Sequence, residues 1–507
     1  MSEALIHGRY VVCRVTGPDA VEMIEDGALL HRDGEIVEIG PAAALRARHP
    51  GVPEIGSRDH LVMPGLVNAH HHVGVASTLL GCLDGPLELW LTEMLARRDV
   101  DSYLDTLWGS MLLLRSGVTT VMHNVVRWIP PPGDPLLDDT RQILTAYGEA
   151  GLRVAYSVAM KEVNRVVYGD DETFVRALPA ALADTLGPRL RGGLSGDGYL
   201  ALFEELHRRH AASGGDRVRL LLSPSNVQWI SDALFQEMKD LARRYRTGIH
   251  MHLAESAYQR AYALRMFGKT PVAHLHDLGV LGPELSCAHG VWLSDEDMDR
   301  LADAGTIVCH NPSSNLRLRS GVARVTRMLD RGMTVALGAD SSGLNDDMEL
   351  LQEVRLASAL HRAPGHDGPR LTPARLLHMA TAAGARACLL GDRVGSLEVG
   401  KRADVVLVNL DRLGDRLGLG ADVPVLELLV QRARAQHIDT VLVDGEVVFA
   451  GGHCTRIDEA AVLSELRQRF AEPLKPHEQE RRAMADALRP HVRAFYRDWP
   501  DDGKLFD

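Results

Sequence analysis

The sequence is poor in grouped cysteines and in long apolar runs, and each shortage excludes a class of protein. Its six cysteines are dispersed without a CxxC pair, which excludes a disulfide-stapled secreted scaffold and favours a reducing, cytoplasmic location. No apolar run approaches the roughly 20 residues that a membrane-spanning helix needs. The N-terminal stretch MSEALIHGRYVVCRV lacks the uninterrupted apolar core of a signal peptide. We therefore expect no membrane partner.

Clustered positive charge is missing as well. The chain has 56 Lys and Arg against 68 Asp and Glu, a formal net charge of −12, and no long basic run. Nucleic-acid-binding proteins show basic patches, so we expect no nucleic-acid partner. A length of 507 residues exceeds one ordinary core and predicts a large domain with a smaller one. We expect a homo-oligomer, either a dimer or a tetramer.

Both ends of the chain read as short β segments broken by turns. Residues 1–60 contain an Asp-Gly hairpin signal that begins at Asp33, and residues 393–455 contain another that begins at Asp444. Neither segment is large enough to form its own core. We therefore predict one discontinuous β-sandwich built from both segments. Residues 456–507 form a helical tail that is either a surface element or a lid or dimer contact.

Residues 61–392 alternate short apolar strands with longer helical stretches, which is typical of a parallel α/β architecture. Candidate strands end near His70, His123, Met160, Pro224, His252, His289, His310 and Asp340. Eight strand ends suit a closed (β/α)8 TIM barrel. The catalytic residues of such barrels come from the carboxyl ends of several strands.

Metal-type ligands follow several of these strand ends: His70, His72, His252, Glu255, His289 and Asp340. His70 and His72 are two residues apart on a strand, so they point to the same side and can share one ion. His71 points away and is structural or supports the ligands from behind. His252 lies nearer the barrel mouth than His250, which fills a deeper layer. Zinc accepts such nitrogen and oxygen donors, so the pattern predicts a metal-dependent hydrolase.

The stretches PGLVNAHHH, GVTTVMHN, HMHLAES, CAHG, HNPSSNLRLRSG, GADSSG and GSLEVGKRADVVLV together resemble the amidohydrolase superfamily, in its cytosine deaminase and chlorohydrolase-like branch. They cover the chain from about residue 58 to 410. The resemblance implies a distorted barrel with an attached β-sandwich and one divalent metal ion, usually zinc, with Fe²⁺ as the alternative. Dinuclear relatives commonly bridge two metals with a carboxylated Lys after the fourth strand. The corresponding segment VRLLLSPSN has no Lys, which favours one metal.

The same resemblance implies roles for individual residues. It makes His70, His72, His252 and Asp340 the metal ligands and Glu255 the proton shuttle. It makes His289 the residue that orients the attacking water or polarises the substrate, with Asp340 helping to orient the water. The implied reaction is hydrolytic deamination of an N-heterocyclic or nucleoside-like small molecule. The HxE…PCxxC signature of the zinc nucleobase deaminases is absent.

The sequence is also compatible with two other functions. The same site could expel chloride or an alkylamine from a triazine-like ring, or open a cyclic amide, because the fold does not determine the leaving group. The second is a non-catalytic binding or assembly scaffold. Such a protein is expected to have lost metal-ligand residues that this chain keeps.

Substrate contacts are predicted at five positions: His123, Asn124, Trp229, Asn315 and Arg317. His123 and Asn124 in VMHN stand where relatives often have an acidic residue. The change either alters which substrate the pocket recognises or provides a structural hydrogen bond. Arg317 stands where relatives commonly carry Lys. We expect it either to bind an anionic group of the substrate or to be a surface residue at the start of a helix. Trp229 lines a ring-stacking pocket or belongs to the core. The first loop GVASTLLGCLDGPLELWL lacks the Gln of several deaminase subgroups, which disfavours guanine-type or formimino-type activity.

Overall fold

The structure is a computed structural model that describes residues 3–127, 129, 136–213, 217–341, 346–420 and 422–499. The strands are β1 (Glu3–Gly17), β2 (Ala20–Arg32), β3 (Glu35–Pro41), β4 (Glu54–Pro64), β5 (Leu66–His71), β6 (Val118–Val126), β7 (Arg153–Met160), β8 (Val218–Leu220), β9 (Ser223–Pro224), β10 (Ile249–Leu253), β11 (Leu285–His289), β12 (Ile307–His310), β13 (Thr334–Leu337), β14 (Val405–Asn409), β15 (Ile438–Val443), β16 (Glu446–Ala450) and β17 (His453–Cys454).

The helices are α1 (Ala42–Arg48), α2 (Leu87–Glu93), α3 (Ser102–Arg115), α4 (Leu136–Ala150), α5 (Asp171–Arg176), α6 (Ala180–Arg191), α7 (Gly196–Ser213), α8 (Asp232–Tyr245), α9 (Ala257–Phe267), α10 (Pro271–Asp277), α11 (Asp295–Ala304), α12 (Pro312–Arg317), α13 (Val325–Asp330), α14 (Leu350–Leu360), α15 (Pro373–Ala380), α16 (Ala382–Ala387), α17 (Leu410–Leu413), α18 (Val425–Arg432), α19 (Glu459–Ala471) and α20 (Pro476–Phe495). Among the described helices, none combines the length and the apolar character needed to cross a membrane. All six cysteines are buried and free of disulfide bonds.

Strands β5 to β13 form a closed parallel barrel with eight strand positions. One curved sheet has the order β5-β6-β7-β8, with β9 also on β7, and the other has the order β10-β11-β12-β13. The sheets join where Leu222 bridges to Ile249 and where the Asp340 N–H donates to the His70 carbonyl at 3.0 Å. The predicted (β/α)8 barrel is confirmed, and its fourth position is divided between two short strands.

Strands from both chain ends form one sheet, with the order β17-β16-β15-β14-β4-β1-β2-β3. In its centre β14 runs antiparallel to β4, so the chain segments before and after the barrel are hydrogen-bonded to each other. Both predicted hairpins are present. Asp33 and Asp444 have φ of 47° and 51° and are each followed by a glycine at positive φ, as a two-residue type I′ turn requires. The predicted second domain, built from both ends, is confirmed as a sheet domain.

A buried arginine joins the barrel to the sheet domain. Arg153, at the start of β7, is fully buried and hydrogen-bonds Asp404 at 3.0 Å and Asp444 at 2.6 Å. Burial alone would raise the pKa of Asp444, but Arg153 and Arg402 lower it to about 2. The two carboxylates belong to the sheet domain, so this ion cluster fixes one domain against the other.

The tail after the sheet domain is helical, and its last residues, 500–507, lie outside the described part of the chain. Helix α20 packs against α2 with Leu488 and Val492 fully buried. Arg489 on α20 pairs with Glu93 on α2 at 2.5 Å, and the Tyr168 N–H donates to the Tyr496 hydroxyl at 2.9 Å. The tail therefore packs on the loops that follow the barrel strands.

Candidate metal and catalytic site

The six predicted metal-type and catalytic residues meet at the carboxyl ends of the barrel strands. His70, His252, Glu255, His289 and Asp340 are all at most 8% exposed, and the His72 side chain is 18% exposed. Two of them have left-handed backbone conformations, with φ of 77° at His289 and 53° at Asp340. Such angles are unfavourable for residues other than glycine and are concentrated at functional sites.

The side-chain donors converge on one point. The Asp340 Oδ1 atom lies 3.3 Å from His72 Nε2 and 3.6 Å from His70 Nε2, and His72 Nε2 lies 3.4 Å from His252 Nε2. On the other side, His289 Nε2 is 3.8 Å from Asp340 Oδ2. Donors that share one zinc ion at 2.0–2.2 Å lie about 3.4 Å apart in a tetrahedron. The observed spacings match that requirement.

The other ring nitrogen of each histidine is held by the protein. His70 Nδ1–H donates to His250 Nε2 at 2.8 Å, and His252 Nδ1–H donates to the Ser225 carbonyl at 3.1 Å. His72 Nδ1–H donates to the Asn124 carbonyl. These partners fix the tautomer in which Nε2 has a free lone pair, as metal-binding histidines require.

Burial supports the same assignment. The Nε2 atoms of His70 and His289 are buried and have no hydrogen-bond partner among the described residues. Buried polar atoms are nearly always satisfied, so such atoms need an explanation. Burial lowers the pKa of His70 to about 4, which keeps the ring neutral and able to bind a cation. The donor set therefore fits a divalent metal ion.

Asp340 is the anionic member of the group. The Ser314 hydroxyl donates to its Oδ2 at 2.5 Å, and the Ser341 N–H donates to its Oδ1 at 2.7 Å. Burial alone would raise the pKa of Asp340, but contact with His70 and the charges of His72 and His289 hold it well below its ordinary value. The carboxylate is therefore ionised and correctly placed to bind a cation.

Glu255 lies beside this group rather than within it. Its Oε2 is 3.7 Å from His289 Nε2, and its own N–H donates to Gln259 Oε1 at 2.8 Å. Burial raises the pKa of Glu255 well above its ordinary value, and the nearby charges of Asp340 and Glu88 add to the effect. A carboxyl group with a raised pKa can both accept and return a proton near neutral pH.

His123 and Asn124 are consecutive on β6, so their side chains point to opposite faces. The His123 ring packs edge-on against Tyr147 and Tyr156, with its Nδ1 3.0 Å from the Tyr147 hydroxyl. Asn124 instead supports His72 through its main-chain carbonyl. Contact of either side chain with a substrate stays a prediction.

Asn315 and Arg317 lie on α12 and both have protein partners. Asn315 Oδ1 accepts from His289 Nδ1–H at 2.8 Å. Arg317 forms a two-pronged contact with Asp84 in the first loop, at 2.6 and 3.1 Å, and also pairs with Asp346. The geometry makes Asn315 a support for His289 and gives Arg317 a role in connecting loops. A direct substrate contact remains a prediction for both.

Lys161 was missed by sequence reasoning. It directly follows Met160, the last residue of β7, which is the same placement that identified the other candidates. Its Nζ lies 3.8 Å above the ring centre of Trp229, which is only 4% exposed. Burial lowers the pKa of Lys161 well below its ordinary value, whereas the neighbouring Glu255 raises it. Lys161 therefore lies close to Glu255 and against the face of Trp229.

A cavity of ≈ 370 Å³ lies next to Lys161. Its charged lining residues are Arg127, Lys161, Arg165 and Arg189. Arg127 pairs with Asp139 and Arg165 pairs with Asp171, but the lining contains no carboxylate among the described residues. The cavity therefore presents basic side chains, one of which, Lys161, neighbours Glu255.

Relatives of the whole chain carry deaminase names. A 5-methylthioadenosine/S-adenosylhomocysteine deaminase from Desulforamulus reducens is 31% identical over 93% of this chain and 99% of its own length. A 5′-deoxyadenosine deaminase from Methanosarcina mazei is 30% identical over 94% of this chain and 99% of its own length. The crystal structure of an adenosine deaminase from Xanthomonas campestris with bound zinc has a TM-score of 0.76 at 28% identity, covering 92% of this chain and 97% of that one.

Two family profiles match the sequence. Residues 27–51 match the bacterial imidazolonepropionase-like composite domain, which lies within the sheet domain. Residues 61–448 match the Amidohydrolase family, and this range includes every one of the converging histidines and carboxylates. The match covers more than half of the chain, and the fold and the ligand arrangement agree with it. The protein is therefore a member of the amidohydrolase family.

Proposed function

We propose that this protein is a metal-dependent hydrolytic deaminase of adenosine-type nucleosides that are modified at the 5′ carbon. The observation that carries the proposal is the convergence of His70, His72, His252 and Asp340 on one point, with Glu255 beside them. The names of the two relatives support the substrate class, because 5′-deoxyadenosine, methylthioadenosine and S-adenosylhomocysteine share an adenine ring and differ at the 5′ position.

We propose the following roles for these residues in the reaction. A divalent ion bound by the four ligands would lower the pKa of a water molecule towards about 7. Glu255 would accept one proton of the attacking water and deliver it to a ring nitrogen, and the second proton of that water would pass to the departing amine. His289, whose Nε2 faces both Glu255 and Asp340, orients the attack on the ring carbon that carries the amino group. Water is consumed, ammonia leaves and a carbonyl group remains on the ring.

We propose one zinc ion per chain, with Fe²⁺ as the alternative. The three neutral imidazoles and single carboxylate suit a borderline-soft ion such as zinc. Zinc is also the metal in the adenosine deaminase structure. Metal analysis of the purified protein tests the proposal, and close to one equivalent of zinc is expected. Two equivalents per chain would contradict the mononuclear site.

The basic cavity favours a substrate with a carboxylate on its 5′ group. S-adenosylhomocysteine carries a carboxylate and an α-ammonium group there, and the carboxylate would offset the cost of keeping Lys161 charged in its buried position. Lys161→Met should therefore raise KM for S-adenosylhomocysteine by about tenfold, the effect of losing about 1.4 kcal/mol of binding. KM for 5′-deoxyadenosine, which has no such group, should change little. An equal rise for both substrates would argue against a carboxylate-binding role.

The leaving group is tested by measuring ammonia release from 5′-deoxyadenosine, methylthioadenosine and S-adenosylhomocysteine beside adenosine. A chlorotriazine and a cyclic amide serve as comparison substrates. Ammonia release from the nucleosides alone is the expected result. Chloride release or ring opening without nucleoside turnover would favour the alternative hydrolase.

We further propose a cytoplasmic homo-oligomer, a dimer or a tetramer. The six buried free cysteines support a reducing compartment. Sedimentation analysis of the full chain tests the assembly, and a monomer at micromolar concentration would contradict it.

A further inference from the structure

Two consecutive residues of the short helix α12 hold two different members of the site. The Ser314 hydroxyl donates to Asp340 Oδ2 at 2.5 Å, while Asn315 Oδ1 accepts from His289 Nδ1–H at 2.8 Å. Because the two residues are adjacent, any displacement of this helix moves both contacts together. The position of α12 therefore affects the Asp340 carboxylate and the His289 ring at the same time.

A buried carboxylate on another helix fixes the start of α12. Glu353 on α14 accepts from the Ser313 N–H at 3.0 Å and from the Ser313 hydroxyl at 2.5 Å. Glu353 is 1% exposed, and both Ser313 and Ser314 are fully buried. Both Glu353 oxygens thus hold the residue that immediately precedes Ser314.

Burying a carboxyl group costs free energy unless its hydrogen bonds compensate. Burial raises the pKa of Glu353 to about 7, although the bonds from Ser313 lower it. An apolar residue of similar size would fill the same space without that cost, and such replacements of buried charged groups are often neutral or stabilising. Packing alone does not explain a glutamate at this position, whereas the two directed bonds to Ser313 do.

We propose that Glu353 is a positioning residue of the metal site: by holding Ser313 it sets where Ser314 and Asn315 place Asp340 and His289. Glu353 has no direct part in the reaction and acts only through α12. The proposal rests on the proposed metal-dependent function of this site, so its test reads metal binding as well as turnover.

The experiment compares three variants loaded with Co²⁺, whose visible spectrum reports the geometry of its ligands. Glu353→Leu removes both bonds. Glu353→Gln keeps them, because its amide oxygen accepts from the Ser313 N–H and its amide nitrogen donates to the Ser313 hydroxyl. Glu478→Leu is the control for losing a buried glutamate, since Glu478 is also 1% exposed and accepts two backbone N–H groups, from Asp99 and Lys475, besides pairing with Arg469.

Losing a residue that orients metal ligands typically costs 10–100-fold in metal affinity or activity. Glu353→Leu should therefore weaken Co²⁺ binding by at least about tenfold, shift its spectrum and lower kcat more than it raises KM. Glu353→Gln should stay within about threefold of the wild type in both readouts. Glu478→Leu should lower the melting temperature without changing the Co²⁺ dissociation constant or spectrum.

Unchanged Co²⁺ affinity and spectrum in folded Glu353→Leu would overturn the proposal. If that variant fails to fold, Ser313→Ala decides, since it removes one bond and keeps the backbone one. Ser313→Ala should weaken Co²⁺ binding about threefold or more, and wild-type binding by this variant would also overturn the proposal. Wild-type protein that binds no Co²⁺ would refute the proposed function together with this inference. Normal metal binding without any nucleoside turnover would refute the proposed function alone.

Discussion

His70 and His250 form a direct ring-to-ring hydrogen bond, with His70 Nδ1 lying 2.8 Å from His250 Nε2. His250 is in turn 2.8 Å from the Ser286 hydroxyl through its Nδ1. Both imidazoles are fully buried. This chain of hydrogen bonds holds the His70 ring so that Nε2 faces the converging donors, and it gives the deeper histidine a function that strand alternation alone does not reveal.

We predict that His250→Phe weakens metal binding while leaving the barrel folded. Phenylalanine fills similar space but provides no acceptor for His70 Nδ1–H. Metal affinity should fall about 10–100-fold. Competition with a chelator measures the dissociation constant, and circular dichroism verifies the fold. Wild-type affinity in His250→Phe would show that the ring position of His70 is set by packing alone.

Glu255→Gln should separate metal binding from turnover. The substitution preserves size and the contact with Gln259 but removes the group that carries the proton. We expect wild-type metal content and a loss of about 10²–10⁴-fold in kcat. Asp340→Asn is the contrasting variant and should lose metal as well. Residual activity within tenfold of the wild type in Glu255→Gln would exclude it as the proton shuttle.

A pH effect on stability is expected at Asp105, which accepts from the Val75 N–H at 2.6 Å just after the proposed ligands His70 and His72. Burial raises the pKa of Asp105 to about 6, despite this hydrogen bond. The folded protein thus binds the proton more tightly than the unfolded chain, whose aspartate has a pKa of about 3.9. The stabilising contribution is complete below about pH 4 and is lost as the pH rises through 6.

Asp105→Asn removes this dependence and keeps the acceptor oxygen. Between pH 4 and pH 7, the free energy of unfolding of the wild type should fall by about 3 kcal/mol relative to that of the variant. This value corresponds to two pKa units at 1.36 kcal/mol each. Urea unfolding at several pH values measures the gain. Asp184→Asn on the exposed side of α6 serves as the control for the substitution itself. A difference between Asp105→Asn and wild type that is constant with pH would contradict the assignment.

Arg153→Met should destabilise the junction between the barrel and the sheet domain. The change leaves the carboxylates of Asp404 and Asp444 buried without the guanidinium that both contact. Removing one partner of a buried ion pair costs about 3–5 kcal/mol. Thermal unfolding measures the loss. Arg176→Met, at an exposed i,i+4 pair with Glu172, should change stability by less than about 1 kcal/mol. Equal losses of stability in Arg153→Met and Arg176→Met would show that burial of the Arg153 cluster adds nothing to the stability of the protein.

Local patterns in the sequence predicted the strand ends well, because apolar runs that stop at a polar residue mark where a buried strand leaves the barrel. The predicted ends at Met160, Pro224, His289 and His310 coincide with the last residues of β7, β9, β11 and β12. The same rule predicted that the candidate ligands meet, since parallel strands present their carboxyl ends at one rim.

What the sequence could not predict depends on contacts between distant segments. The contact between Gln259 and Glu255 joins residues four positions apart and could have been predicted from their spacing. The hydrogen bond from Ser313 to Glu353 joins residues 40 positions apart and could not. The position of the tail could not be predicted either, because the pattern of an amphipathic helix does not identify the surface against which the helix packs. Side-chain direction in loops, as at Arg317, is likewise decided by partners that only the folded chain brings near.

The proposed function requires that one metal ion at this barrel mouth supports deamination of 5′-modified adenosines. The most direct measurement is ammonia release from S-adenosylhomocysteine and 5′-deoxyadenosine by protein whose zinc content is determined on the same sample. We predict about one zinc per chain and stoichiometric release of ammonia, both lost after chelation and both restored by zinc. Protein that holds one zinc per chain and releases no ammonia from any adenosine derivative would contradict the claim.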